Sequence, residues 1–506
     1  MHPSCHAETR PDAIAVRFEP SGRSLTYRDL DSRSAQLAHF FRSLGLGKGD
    51  VVALLLENEP ALFELTWAAQ RIGVYYVCVP TRLTSSEITY MLADSGAVLL
   101  FASSSLCEVA VSAITPLPSL ALWSTGPNAH GVPPYMPKLD DMPEGRPANE
   151  CAGSDLLYSS GTTGRPKGVK PPLDYASIFA PTRHSELGGS LYGMNEATVF
   201  LSPAPLYHAA PLRWCMGVMR IGGTCIAMEH FDAELALGLI DRHRVTHAQW
   251  VPTHFVRLLR LPEATRSRYA HDSLRAVFHA AAPCPVEIKR QMLDWWGPII
   301  HEYYSGTEAF GMTAISPEEW LAKPGSVGRS ILGEIRICDE NDNPLPSGSE
   351  GVVYFEGGPA TVYHNAPEKD AEVTNTHGWR TYGDVGWTDE EGFLYLTDRR
   401  SFMIVTGGVN VYPQETENVL ATHPSVADVA VIGVPNTDLG EEVKAVVLPV
   451  DPAIATSEFA EELIAWTRER ISPIKAPRSV DFVTEMPRQP TGKLHKRLLR
   501  DRYLQQ

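Results

Sequence analysis

The stretch Tyr158–Gly168 reads YSSGTTGRPKG, a mixture suited to neither a helix nor a sheet core. Ser159, Ser160, Thr162 and Thr163 are interleaved with Gly161 and Gly164, and Arg165 and Lys167 follow. Such a loop can turn many backbone N–H and hydroxyl donors toward one concave point, with a cation beside them, which is what a polyphosphate requires. It is not a Walker A loop, because Lys167 follows a proline and precedes a glycine. The preceding DLLYSS reads as a strand, which places the loop at a strand end, where α/β sheets bind ligands. Taken alone, the stretch is also compatible with a flexible Ser/Gly surface loop.

Five further stretches follow in order: PLYHAAPL at 205–212, HEYYSGTEAFG at 301–311, WRTYGDVG at 379–386, TDRRSFMIVTGGVNVYPQETE at 397–417 and PRQPTGKLHKR at 487–497. With the first, they resemble the phosphate-loop, gate, adenine, ribose, hinge and catalytic-lysine motifs of the adenylate-forming superfamily. That superfamily comprises acyl-CoA synthetases, peptide-synthetase adenylation domains and firefly luciferase.

The resemblance implies that a carboxylate attacks the α-phosphorus of ATP, releasing pyrophosphate and leaving an acyl-AMP. Charge grows on the α-phosphate in that transition state, so fixed donors and cations must face it. By resemblance, Thr162, Thr163 and Lys167 cradle the β- and γ-phosphates, Ser159, Ser160, Gly161 and Gly164 belong to the same nucleotide-binding loop, and Thr307 donates to the α-phosphate. Glu308 is the implied Mg²⁺ ligand, a carboxylate for a hard cation. Ala281, Ala282 and Pro283, with Glu302, Tyr303, Tyr304 and Ser305, are the implied nucleotide contacts, Tyr304 stacking on adenine. Asp384, an acceptor when ionised, suits the ribose hydroxyls, with Arg399 assisting. Lys493 reaches carboxylate and phosphate on a flexible stem, and His208 of the gate joins Thr307 and Glu308 among the catalytic residues. Gly407 and Gly408 would let the pantetheine thiol of coenzyme A pass close to backbone.

The elements needed to position these residues are legible in outline. TYRDLDSRSAQLAHFFRSLG opens with Thr26 and Asp29 in capping-box spacing and puts Leu30, Leu37, Phe41 and Leu44 on one face. DVVALLL, VYYVCV and AVLLFA read as buried strands between helices, the grammar of a parallel sheet covered on both faces. The helix FDAELALGLIDRH before the strand THAQWV repeats it. Residues 116–153 read as a long surface connection, and β character takes over after Gly328. The expected fold is α/β: a large N-terminal domain (1–397) of parallel-sheet subdomains plus a β-rich subdomain. A hinge (398–401) and a small mobile α+β C-terminal domain (402–506) complete it.

Composition narrows the function. With 506 residues, 43 % of them hydrophobic, the chain is long enough for several cored domains. A net charge of -16 argues against nucleic acid or an anionic membrane as partner. From Trp466 onward, however, ten Lys/Arg face four Asp/Glu, a local +6 that suits a face closing over ATP and then meeting CoA. The eight cysteines show no C-x-x-C spacing, so neither a zinc site nor a disulfide framework is suggested. The N-terminus lacks a secretory pattern and no apolar run is long enough to span a bilayer, so a cytoplasmic protein is expected.

The gate contains His208 but no aspartate for an α-amino group, which argues against amino acids. His208, Trp214, Trp250, His279, Ala280, Ala281, Tyr303 and Gly306 are expected to line the acyl pocket and suit a mostly apolar monocarboxylate. Two positions depart from the family pattern: Ser401 stands where the hinge is usually acidic or Lys, and Tyr303 where many members carry Gly. GGVNVYPQETE with AQWVPTHFVRLLRLP looks most like bacterial acyl-CoA ligases for fatty, bile-acid and aryl acids. The expected activity is AMP-forming carboxylate–CoA ligation. An acyl-AMP ligase serving a carrier-protein thiol is the alternative, and a nucleotide-binding protein without chemistry is the reading from another class. The partner is a small carboxylic acid, and a homodimer is left open.

Overall fold

Thr26 and Asp29 form the cap that their spacing predicts: the Thr26 hydroxyl accepts from the Asp29 N–H at 3.1 Å, and the Asp29 carboxylate accepts from the Thr26 N–H at 2.9 Å. The helix Tyr27–Ser43 that they start buries Leu30, Leu37 and Phe41. Leu44, expected on the same face, is instead the C-cap residue and is 42 % exposed, because the chain leaves the helix there. Thr84 and Glu87 cap the helix Ser85–Ser95 in the same way.

The structure is a computed structural model that describes residues 1–159, 166–407, 409–488, 494 and 496–504, without the side chains of Arg400, Arg497 and Leu504. The chain divides into two compact units. The first contains residues 1–250, 260–278 and 360–370, and the second residues 251–259, 279–359 and 371–506.

The first unit has the expected parallel sheets. One runs in the order Ala121–Ser124, Leu99–Ala102, Val51–Leu55, Tyr75–Cys78, Ser154–Asp155, every pair parallel. In another, His247–Trp250, Val199–Ser202, Thr224–Met228 and Ile14–Glu19 are parallel neighbours, with Ser24–Thr26 antiparallel at the edge. The continuous apolar runs are buried on both faces, as Val51–Leu55 and Tyr75–Cys78 show. The segment expected as surface connection contributes the edge strand Ala121–Ser124 and the short helix Met136–Leu139. At an edge, four residues of mixed exposure suffice for pairing, and the short run Leu120–Trp123 is set among prolines, serines and glycines that read as loop.

The second unit has an antiparallel sheet in the order Glu334–Cys338, Gly351–Glu356, Arg380–Thr388, Leu394–Arg399, Ser326–Leu332, Met312–Ile315, Ile300–Ser305. Its C-terminal part builds a separate sheet from Ile404–Thr406, Val409–Val411, Val426–Asn436, Gly440–Pro449 and Ser479–Phe482. Alternation along Val426–Asn436 sends Val429 and Val431 into one core with Leu420 and Leu463, and Ala430, Ile432 and Val434 into another with Met486 and Leu499.

Thr26→Ala removes the hydroxyl that accepts from Asp29 and should lower stability by about 1 kcal/mol. Urea denaturation checks this through a lower midpoint at unchanged slope.

Candidate active site

In the first unit the phosphate-loop motif is framed by a hairpin. Leu157–Ser159 pairs antiparallel with Lys167–Lys170, in the register Leu157↔Val169, Tyr158↔Gly168, Ser159↔Lys167. The element after the strand is thus an antiparallel partner, which in turn pairs with Val362–Tyr363. Tyr158 donates to Asp94 at 2.6 Å, and its phenol is pushed up chiefly by burial and then by that carboxylate. A Cβ at Gly168 would lie 3.1 Å from His364 and 3.2 Å from the Tyr158 ring, so the glycine lets the strands lie close. Lys167 is 3.7 Å from the exposed Glu368, a weak surface pairing. Ser160, Gly161, Thr162, Thr163 and Gly164 lie outside the described residues, as do Gly408 and Lys493.

The gate residue His208 is the N-cap of the helix Ala209–Ile221, its ring 4.5 Å from that of Tyr207. Trp214, on that helix, has no exposed surface and packs among His184, Tyr192 and Phe278. Trp250, 1 % exposed, ends the strand His247–Trp250. Burial lowers the His184 pKa to about 3, helped by Arg213 and Arg183, so this helix layer holds a neutral imidazole.

In the second unit, residues from three strands meet on one carboxylate. Asp384 and Arg399 are register partners on Arg380–Thr388 and Leu394–Arg399, and the Arg399 Nε lies 3.1 Å from Asp384 Oδ1. The Tyr304 hydroxyl, from Ile300–Ser305, donates to Asp384 Oδ2 at 2.5 Å. Arg399 is held above its usual range by Asp384 first, with Tyr304 and Glu308 adding to the effect. Tyr304 is pushed well up by burial and by Asp384, so it remains a donor.

Tyr304 and Asp384 are four strand steps apart in the sheet order. At about 4.8 Å per step a flat sheet would separate them by roughly 19 Å, so the sheet curls. Bulges between Met312/Thr313, Ser326/Gly328 and Val385/Gly386 supply the bends. Gly328 lies at φ +95° with space for no Cβ, the Ala314 carbonyl being 2.0 Å from where one would sit.

The curl also brings Tyr382 to the SGTEAFG segment. Its hydroxyl donates to the Gly311 carbonyl at 2.8 Å and accepts from the Gly311 N–H at 3.0 Å. Its ring stacks on Phe310 at 5.4 Å, and burial pushes the phenol up to about 12. A Cβ at Gly306 would fall 2.4 Å from the Tyr382 ring and 2.7 Å from Glu308 Oε2, and one at Gly311 1.9 Å from the Phe355 ring. Thr307 and Glu308 are therefore presented, half-buried, on a turn whose glycines no other residue can replace without displacement. Ser305 donates to the Gly311 carbonyl at 2.8 Å, closing the same turn.

Of the other residues expected at the nucleotide or the pocket in this unit, His279 meets the buried carboxylate of Glu302. Glu302 receives Lys289 Nζ at 2.7 Å, and His279 Nε2 is 3.4 Å from the same oxygen. His279 has no exposed surface, whereas Ala281 is exposed at φ +74°, a strained turn directly after the strand. Tyr303 is buried, Ala280 is buried, and Ala282 and Pro283 continue the turn. Gly407 occupies the left-handed region at φ +54°, its N–H donating to Leu439.

Sequence reading missed Tyr382 and Lys289. Tyr382 lay within the ribose motif. Lys289 had a signal: with Met292, Leu293 and Trp296 it falls on the buried stripe of Val286–Trp296, where a charge is out of place.

Among the described residues no three His, Cys, Asp or Glu side chains cluster as a metal site. A lone half-buried carboxylate, Glu308, fits Mg²⁺ carried on phosphates, since that ion keeps waters and takes one or two protein carboxylates. No helix of the described residues is long and apolar enough to cross a membrane.

The mixed α/β units and the order of the motifs along the chain are those of an adenylate-forming enzyme. The chain belongs to the AMP-binding enzyme family: residues 5–362 match that family and residues 415–493 its AMP-binding enzyme C-terminal domain. It is similar to a feruloyl-CoA synthase of Amycolatopsis sp, 34 % identical over 99 % of this chain and 98 % of that one. It is also similar to the fatty acid–[acyl-carrier-protein] ligase ScoC of Streptomyces coeruleorubidus, 31 % identical over 99 % and 95 %. Among solved structures, the anthranilate CoA ligase AuaEII in complex with anthranoyl-AMP superposes with a TM-score of 0.88 at 25 % identity, covering 99 % of this chain and 96 % of that one. The protein is thus a member of an ATP-dependent ligase family that works through acyl-adenylates.

Gly306→Ala should displace Glu308 or the packed Tyr382 ring, lowering stability by about 1–3 kcal/mol and adenylation with it. Thermal unfolding together with pyrophosphate release checks both, and a wild-type midpoint would contradict the close approach.

Proposed function

We propose that the protein is an AMP-forming carboxylate–CoA ligase for a mostly apolar acid. One observation carries the reading: Tyr304, Asp384 and Arg399 share a single network, to which Glu308 is electrostatically coupled and which the turn bearing Thr307 adjoins. In the first step a carboxylate oxygen of the acid attacks the α-phosphorus of ATP, and the bond to the pyrophosphate oxygen breaks. Asp384, paired with Arg399, accepts the ribose hydroxyls. Thr307 donates to the α-phosphate as charge grows there. Glu308 is the protein ligand for Mg²⁺, which when bound neutralises phosphate charge. Tyr304, its hydroxyl engaged by Asp384, offers its ring to adenine.

In the second step the CoA sulfur attacks the acyl carbonyl, its proton is lost to solvent, and AMP departs. Lys493 serves the first step and the segment at Gly407–Gly408 the second. One rigid orientation can hardly bring both to the same phosphorus, so residues 398–401 act as a hinge for the C-terminal residues. Asp398 is held at this junction by accepting from the Arg399 N–H at 2.6 Å and the Gln414 N–H at 2.9 Å. The residues expected at the acyl pocket are aromatic, imidazole or small and include no Lys or Arg, which favours an apolar acid over a dicarboxylate. The likeness to a carrier-protein ligase supports a second reading, transfer to a carrier-protein thiol. Pyrophosphate release from ATP, Mg²⁺ and a panel of acids tests adenylation, and thioester formation with free CoA separates the two acceptors.

Glu308→Gln keeps the shape but removes the charge and should lower adenylation by orders of magnitude at saturating ATP. Activity retained within about three-fold would remove Glu308 as metal ligand. Lys493→Ala should nearly abolish acyl-AMP formation yet still convert supplied acyl-AMP and CoA to thioester. Ser401→Pro should do the reverse: proline fits the 3₁₀ turn Arg400–Phe402 seen here and resists any other φ. Quench-flow assay of each half-reaction decides, and equal loss of both by Lys493→Ala would overturn the two-orientation scheme.

A further inference from the structure

The cluster of Lys289, Glu302 and His279 is the most deeply buried group of titratable side chains in the second unit that the proposed chemistry does not use. Lys289 and His279 have no exposed side-chain surface, and Glu302 only 8 %. The three come from the elements that carry the implied nucleotide contacts. His279 ends the strand Ala276–His279 immediately before Ala281–Pro283. Glu302 lies on the strand that continues into Tyr303, Tyr304 and Ser305. Lys289 lies on the helix Val286–Trp296 that follows the turn. Lys289 Nζ is also 4.8 Å from the Trp320 ring, which covers it from the helix Pro317–Ala322.

A buried ion pair is weak evidence for stability, because desolvation offsets most of its attraction, but it fixes geometry. This pair joins the helix after the strained Ala281 turn to the strand bearing Tyr304. The geometry points to Lys289 as a positioning residue for nucleotide binding, which it serves through its ion pair with Glu302; this rests on the adenylation reading above. The groups facing Glu302 are Lys289 from the helix, His279 from the neighbouring strand and Cys284 from the turn. From the helix Pro252–Leu259 the Phe255 ring lies 5.4 Å from the His279 ring. Burial, then Lys289, holds His279 well below its usual range, and burial pushes the Cys284 thiol up, so both are neutral. Burial raises Glu302 while Lys289 opposes the rise. The pair is therefore the one place in the cluster where charge resides.

Removing either partner leaves the other charge buried, and the two single variants must respond to pH with opposite sign. In Lys289→Met, Glu302 is tolerated when protonated, so ATP binding is strongest at low pH and weakens as pH rises through the raised pKa of the carboxyl. In Glu302→Gln, Lys289 is tolerated when neutral, so binding is weakest at low pH and recovers as pH rises. With one proton linked, each slope is at most about ten-fold in Kd per pH unit. The double variant Lys289→Met/Glu302→Gln has no buried charge and should show the pH dependence of the parent. Calorimetric titration with ATP and Mg²⁺ from pH 6 to 8.5, each Kd taken relative to the parent at the same pH, cancels the ionisation of ATP itself. Opposite slopes that vanish in the double variant support the assignment. Unfolding midpoints that shift while the Kd values of the folded variants do not would reduce the pair to a structural role and overturn it. Should Lys289→Met fail to fold, the slope of Glu302→Gln and its loss in the double variant still decide. A parent that does not bind ATP would overturn the proposed function itself, and this inference with it.

Discussion

The curvature of one antiparallel sheet governs the site in the second unit. Tyr304 and Asp384 lie four strand steps apart, yet their side chains share a hydrogen bond of 2.5 Å. Only a sheet rolled back on itself allows this, and rolling requires that backbone come close to its neighbours where a Cβ cannot fit. Gly328 against Ala314, Gly311 against Phe355 and Gly306 against Tyr382 are those approaches. The glycines that read as part of a functional motif are thus first a condition of closure. The half-buried placement of Thr307 and Glu308 on the turn follows from it.

Charge is distributed on the same frame in a consistent way. Asp384 and Glu302 are both nearly buried, and each has one cation: Arg399 from the adjacent strand and Lys289 from a helix. Arg399 is the partner that can share its guanidinium, since its planar fork presents several donors at once. Lys289, a point charge with no exposure, is committed to Glu302. Both oxygens of the first carboxylate are engaged, one by Arg399 and one by Tyr304, and the second carboxylate is held by Lys289. A neutral imidazole at His279 accompanies the second pair, because burial beside Lys289 disfavours a second positive charge.

Much of this was legible in the sequence for identifiable reasons. The capping boxes at Thr26/Asp29 and Thr84/Glu87 are local, satisfied within one turn, so spacing alone reveals them. Doubly buried parallel strands such as Val51–Leu55 must be apolar throughout, which marks them in any reading. The edge strand Ala121–Ser124 escaped because an edge demands so little of its side chains, and Leu44 misled because helical periodicity does not say where the helix stops. Lys289 could have been suspected from its place on an apolar stripe, but its partner lies on another element and no spacing rule names it.

The sequence by itself determined the elements, the order of the motifs and the chemical types at each position, because these rest on local propensity, periodicity and side-chain functional groups. It placed Tyr304, Asp384 and Arg399 in three separate motifs, Tyr304 at the adenine and the other two at the ribose. Tertiary structure alone decided that the three meet on one carboxylate, that Tyr382 braces the Gly306–Gly311 turn, and that Lys289 and Glu302 neutralise each other. Those relations depend on sheet curvature and on desolvation, both set by contacts between residues far apart in the chain, and neither leaves a periodic trace in the sequence.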